Sequence, residues 1–373
     1  MKRATPPGLG FLDEALGHAK ERDLLRERPP PTDGRALSFS SNDYLALAHE
    51  VGPREASGAG ASRLVTGDRP VHARLEEAAA ALVLQPEALV FTSGYAANVG
   101  LLSALAGPGD LVVSDALNHA SIIDGARLSR ARVEVVPHVD VGAVEAALRS
   151  RTERRAFVVT ESYFSMDADW PDLAALRRVC DRHGAALLVD EAHALGVLGP
   201  DGRGRCAEAG VEADALVGTF GKAFGAGGAF VAGCPSLVAW LWNRARSFVF
   251  STGLSPAVAA AALQGLRRAE AEPDRRRRVL AAATQLRDGM TRLGLGPAGF
   301  GPIVPWVLGE PGRALRMAAT LRERGVDVRA IRPPSVPTGT ARIRLTVTAA
   351  HGSADIERAL AVLADVLAPG PGA

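Results

Sequence analysis

Between residues 75 and 233, short apolar runs of strand length alternate with helical segments, and few folds accept that pattern. The runs are ALVF (88–91), LVVSD, RVEVVPH, AFVVTES (156–162), AALLVDEAH, ALVGTFGK and GAFVAG. Between them stand LEEAAAALV, SGYAANVGLLSAL and LAALRRVCDRHG, which read as helices. Strands that are apolar throughout are buried on both faces, so the pattern predicts an α/β fold with a mostly parallel sheet sandwiched by helices. In such sheets ligands bind outside the carboxyl ends of the strands.

The flanks differ in character. A helix is expected over Phe11–Arg28, ending at Pro29–Pro31. After an Arg- and Ala-rich helical region (256–293) come IVPWVLG, a helix at 313–324, VDVRAI, ARIRLTV and a last helix at 353–367, for which Ser353 reads as N-cap. Two or three strands with two helices predict a small C-terminal α+β domain. The expected division is an N-terminal arm (1–38), a large domain (39–272) and a small domain (273–373).

The 373 residues exceed what one small core needs. No apolar run approaches the roughly 18–20 residues of a membrane span, and the N-terminus lacks the apolar stretch of a signal peptide. A net charge of +2 points to neither nucleic acid nor membrane as partner. Cys180, Cys206 and Cys234 are scattered and form no CxxC pair, so we expect no disulfide framework, no metal site and a cytoplasmic location. The run Arg275–Arg278 reads as a solvated helix face.

Arginine supplies almost all the basic residues; Lys2, Lys20 and Lys222 are the only lysines. Arginine stays protonated and forms no imine with an aldehyde cofactor, so a Schiff base has three candidate sites. Lys222, in TFGKAFGAGG, directly follows a strand among glycines, where a ligand can approach. Asp190 ends AALLVD, and His193 follows three residues later. A carboxylate there can face the protonated pyridine nitrogen of pyridoxal phosphate (PLP), and His193 can reach the ring hydroxyl. The same D-x-x-H spacing also fits a turn cap or a metal pair.

Ser93, Gly94 and Tyr95 open a helix after ALVFT and offer N–H groups to a phosphate, although a plain strand-to-helix turn has the same sequence. His119 could stack on a planar cofactor or be structural. Ser165 could bond the cofactor or its own backbone. Asn42, Arg342 and Arg344 are polar in apolar settings. Alternation puts the two arginines on one strand face, either solvated or gripping a carboxylate.

Taken together, SSNDYLAL, SRLVTGD, FTSGYAAN, NHASIIDG, TESYFSMDAD, VDEAHALGVLGPDGRG, TFGKAFGAGG, FSTGLSP and IRPPSVPTGTARIRLT resemble, in order, the α-oxoamine synthase family of fold-type I PLP enzymes. The resemblance implies PLP on Lys222, His119 stacked on its ring, Asp190 at the ring nitrogen, His193 at the ring hydroxyl and Ser165 in contact. It also implies Thr219 on the phosphate side and Ser93, Gly94 and Tyr95 in the turn on the phosphate and ring side. Ser251 and Thr252 match residues that reach the neighbouring subunit's phosphate, implying a homodimer. Asn42, Arg26 and Arg344 match positions near the substrates, an amino acid and an acyl thioester. IRPPSVPTGTARIRLT resembles the member that joins L-alanine to a pimeloyl thioester more than the glycine-using members. One departure stands out: between NDYLALAH and SRLVTGD the family carries a full helix, and here only EVGPREASGAGA remains. An aminotransferase or aldolase on the same fold is the rival enzyme. A PLP-fold regulator is the rival outside enzymology, but no helix-turn-helix segment precedes residue 40.

Overall fold

A computed structural model describes residues 17–25, 36–48, 50 and 55–368. The described residues divide into two compact units, one lying within 42–281 and 348–350, the other within 1–41, 282–347 and 351–373.

The larger unit is built on a seven-stranded sheet. Its strands are β2 (Glu87–Phe91), β3 (Asp110–Asp115), β4 (Arg132–Val136), β5 (Arg155–Glu161), β6 (Ala186–Asp190), β7 (Ala215–Thr219) and β8 (Ala229–Gly233), numbered after β1 (Leu37–Ser38) of the other unit. Their spatial order is β2-β8-β7-β6-β5-β3-β4. The pairs from β7 through to β4 are parallel, and β8 alone runs antiparallel to both its neighbours. The mostly parallel sheet is therefore present, with one reversed strand near its edge. The apolar runs are explained by burial: every residue of β3, β7 and β8 is buried. Over one face, Leu89, Phe91, Val112, Phe157, Val159, Leu188, Val217 and Val231 meet Leu101, Leu102, Ile122, Leu241 and Phe248 from helices. Each such side chain contributes about 1.5–3 kcal/mol on removal from water.

Local chemistry fixes the helix ends. Helix Leu173–His183 starts where Asp172 accepts the Ala175 N–H at 2.9 Å and stops at Gly184, whose φ of 57° only glycine adopts without cost. The expected helical region from 256 is two helices, Pro256–Ala271 and Asp274–Arg292, because Pro273 has no N–H to continue the ladder.

The smaller unit pairs β1 in parallel with β10 (Val326–Asp327) and holds an antiparallel sheet, β11-β12-β9, of Arg329–Ile331, Ala341–Thr346 and Ile303–Gly309. Its last helix, Ser353–Leu367, has Gly352 at the N-cap rather than Ser353. The Asp355 carboxylate accepts the Gly352 N–H at 2.9 Å and so meets the need a serine would have met.

Candidate active site

β6 delivers Asp190 to the carboxyl edge of the sheet, and β7 leads three residues later to Lys222. Asp190 is buried. Its Oδ1 accepts the Ala192 N–H at 2.8 Å, and its Oδ2 accepts from Asn98 Nδ2 at 2.7 Å. The two N–H donors fix the orientation of the carboxylate. The turn-capping role weighed for Asp190 is thus real, and it leaves further lone pairs for a ligand.

Asn98 projects from helix Gly94–Leu105, and its amide also reaches Ser121 Oγ at 3.0 Å. Ser121 Oγ lies 2.8 Å from His119 Nδ1. His119 itself caps helix Ala120–Ser129, taking the Ser121 N–H on Nδ1 at 3.2 Å. Its ring is exposed, yet the protein crowded around it removes enough water to lower its pKa. Asp190 opposes that shift, and Lys222 adds to it. Glu161 ends β5 in register with Asp190. Burial, reinforced by the Asp190 charge, pushes its carboxyl up to about 8, while Lys222 and the His119 N–H pull the other way. Lys222, His119, Asp190 and Glu161 therefore share one electrostatic neighbourhood.

His193 is buried, with Nδ1 2.8 Å from the hydroxyl of fully buried Tyr44. The same hydroxyl faces Asn42 Oδ1 at 3.4 Å, so the NDY segment and the loop after β6 are joined. Behind this layer Glu191 accepts from Ser162 Oγ at 2.5 Å and from the backbone N–H groups of Arg205 and Cys206, which anchors the strand end. Burial raises the Glu191 pKa, and the three donors counter that rise.

Ser93 caps helix Gly94–Leu105 by accepting the Ala96 N–H at 3.1 Å. The N–H groups of Gly94 and Tyr95 precede the intrahelical ladder and point to the positive end of the helix. Tyr95 donates to Asp124 at 2.7 Å. Thr219 is buried at the end of β7, donating to the Gly228 carbonyl at 3.0 Å and accepting the Gly221 N–H at 3.2 Å. Ser165 is buried.

Ser251 and Thr252 line a small recess with Arg63, Thr92 and Ser247, one residue from Ser93. Arg63 is buried there and pairs with Asp68 and Glu76. Arg344 lies on β12 in the other unit, and Arg26 lies outside the described residues. Arg342 is buried and Arg344 half-buried, so they are not a solvent-facing pair.

The sequence reading left Tyr44, Asn98, Ser121 and Glu161 unmarked. The one signal for Asn98 was a lone amide in the run AANVGLL.

These residues fit PLP. A buried carboxylate oriented by two N–H donors suits a pyridinium N–H, and a strand-end lysine suits an imine. An exposed imidazole beside both suits a flat ring, and an open helix start suits a phosphate. The described residues hold no cluster of three or more His, Cys, Asp or Glu that could bind a metal ion, and no helix among them is long and apolar enough to cross a membrane.

The family model for aminotransferase class I and II matches residues 35–363. The 8-amino-7-oxononanoate synthase of Anaeromyxobacter dehalogenans is 50% identical over 347 residues, covering 90% of this chain and 87% of its own. That of Mycolicibacterium smegmatis is 48% identical over 381 residues, covering 99% of each chain. A solved serine palmitoyltransferase from S. paucimobilis, with bound PLP–myriocin, has a TM-score of 0.87 at 28% identity and covers 97% of this chain and 98% of its own.

Proposed function

The chain belongs to the aminotransferase class I and II family, and from that premise we propose that it joins L-alanine to a pimeloyl thioester. The products are 8-amino-7-oxononanoate, carbon dioxide and the freed thiol, a step of biotin biosynthesis. The enzyme is a PLP-dependent acyltransferase. The observation that carries the reading is near-50% identity, over nine-tenths or more of the chain, to synthases of that name.

Bound PLP supplies the electron sink for the carbanion that forms at the amino acid's α-carbon. In our assignment Lys222 holds the cofactor and, once released, its amine takes the α-proton as general base. The Asp190 carboxylate, held in place by the Ala192 N–H and Asn98, would face the protonated ring nitrogen. His119 packs against the ring face. His193, set by Tyr44, donates toward the ring hydroxyl, and Ser165 adds a polar contact. Ser93, Gly94, Tyr95 and Thr219 receive the phosphate. Asn42, Arg26 and Arg344 serve the substrates, Arg344 by gripping the amino-acid carboxylate.

We also assign Ser251 and Thr252 to the phosphate of a second copy, which makes the protein a homodimer. Exposed Leu64, Val65 and Phe250 turn apolar surface outward close to that pair in sequence or to Arg63 beside it. A cytoplasmic location and the three-part domain division belong to the same reading.

The test is thiol release and product mass with purified protein and PLP, across amino acids and acyl thioesters. Release peaking with L-alanine and the pimeloyl chain is expected. Preference for glycine with acetyl thioester would move the chain to a sister activity, as would serine with a long acyl chain. One methyl group is worth only about 1–3 kcal/mol of discrimination, so alanine and glycine must be compared directly. The short segment after His49 makes the acyl-chain series the informative axis.

A further inference from the structure

We propose that Asn98 and Ser121 are positioning residues forming a one-way hydrogen-bond relay that fixes His119 as the neutral imidazole with its proton on Nε2.

Donor chemistry sets the direction at every link. A backbone N–H can only donate, and that of Ser121 points at His119 Nδ1 from 3.2 Å. Nδ1 must therefore present its lone pair. Asn98 sits 2.7 Å from Asp190 Oδ2, where a carboxylate accepts only, so the amide turns its NH2 and not its oxygen to that side. The second hydrogen of the same NH2 goes to Ser121 Oγ at 3.0 Å. The Ser121 hydroxyl lies 2.8 Å from His119 Nδ1 and, since that nitrogen already accepts the backbone N–H, donates to it. Two donors thus converge on one ring nitrogen. Protonating Nδ1 would set its N–H against the Ser121 backbone N–H and break that bond, and it would force the Ser121 hydroxyl to turn from donor to acceptor. Ser121 is fully buried, so its freed N–H would find no water in replacement.

The charged groups around His119 do not reverse this. Burial lowers its pKa, Asp190 and Asp124 favour the charged ring, and Lys222 opposes it; the net direction is down. Glu161, pushed up to about 8, is reached from the same residue's backbone N–H.

The consequence concerns this chain's contact with the cofactor ring. A neutral imidazole lies against a protonated pyridine without like-charge repulsion. Its Nε2–H is then the donor His119 offers to a bound carbonyl or carboxylate. One amide, Asn98, sets both the carboxylate at the ring nitrogen and the tautomer of the ring-face histidine. The inference rests on the proposed role of His119, but the tautomer can be read without it.

The experiment is a long-range 1H–15N spectrum of histidine-labelled protein, with and without PLP, His119→Gln identifying the signal among eight histidines. At pH 7 the wild type should show Nδ1 bare and Nε2 protonated, with a titration midpoint below the ordinary value of about 6.5. Ser121→Ala should raise the midpoint by about one unit and populate the Nδ1–H form, because the hydroxyl donor is lost. Asn98→Ala should do the same. It should also shift the visible band of bound PLP and weaken PLP binding about tenfold, since Asp190 loses one of its two donors. An imidazolium or an Nδ1–H imidazole in the wild type overturns the proposal, and that measurement needs no variant to fold. Unchanged His119 signals in both variants overturn it too. A bare Nδ1 whose signals ignore added PLP keeps the relay and removes His119 from the ring face.

Discussion

Lys222 is one amine in a chain whose other basic groups are nearly all guanidinium, and that scarcity makes its role testable at a single atom. Lys222→Ala should abolish the visible band of the cofactor–lysine imine and lower turnover by at least about 10²–10⁴-fold, the range for a lost general base. Borohydride reduction and peptide mapping check the attachment point; label on Lys2 or Lys20 would overturn it. The sequence made Lys222, Asp190, His119 and His193 visible because each sits at the end of a readable strand or in a quotable motif. Tyr44, Asn98 and Ser121 escaped for a physical reason. They act through partners 149, 92 and 23 residues away in the chain, and hydrogen bonds of that kind leave no spacing pattern. Arg275 misled in the opposite direction. In a run of four arginines it looks solvated, yet it is buried. It pairs with Glu272 and Glu50 at 2.6 and 2.8 Å and bonds the Leu45 carbonyl, while Arg277 and Arg278 remain exposed.

At the scale of elements, strand identity was legible because burial demands apolar runs, but direction was not: nothing in GAFVAG marks β8 as the reversed strand. How tightly elements approach was hidden as well. Helix Pro256–Ala271 carries Gly265 against the loop after Lys222, and a Cβ there would lie 2.0 Å from the Phe224 carbonyl oxygen. In an open helix Gly→Ala stabilises by about 1 kcal/mol. Here the clash should win and destabilise by about 1–3 kcal/mol, while displacing the lysine loop enough to weaken PLP binding. A urea midpoint at or above wild type would show that the loop yields. A second link joins three strand ends. His138, just after β4, meets Asp115 at the end of β3 through Nδ1 at 2.8 Å and Asp169 beyond β5 through Nε2 at 3.1 Å. Burial alone would depress the His138 pKa, but the two carboxylates outweigh it and push it up to about 10. A folded-state value above the ordinary 6.5 means the stabilisation is complete below that pH and disappears as pH climbs through about 10. The stability gap between wild type and His138→Gln should therefore narrow between pH 7 and pH 10.5. A gap that stays constant would mean His138 contributes by packing against Phe164 and not by charge.

The whole molecule raises the question of whether one chain suffices. Ser251 and Thr252 sit beside buried Arg63, which also lies 5.1 Å from the Trp242 ring, and Val65 and Phe250 expose apolar surface in the adjoining segments. Large apolar side chains left outside are tolerated singly, but neighbouring ones fit a surface that another protein covers. If the cover is a second copy, each site takes Lys222 from one chain and Thr252 from the other. Lys222→Ala and Thr252→Asp proteins should then be inactive alone, the second because a carboxylate repels the phosphate. Unfolding and refolding them together should restore thiol release. Each mixed dimer would hold one site carrying both substitutions and one carrying neither. Sites contained within a single chain predict a mixture as inactive as its components, and an active monomer at assay concentration would remove the second copy from the mechanism. A third result is as decisive: Thr252→Asp protein that keeps full activity alone would take Thr252 away from the phosphate. The complementation result therefore bears on shape and chemistry together, since an intact site can arise in the mixture only if the two chains contribute different residues to it.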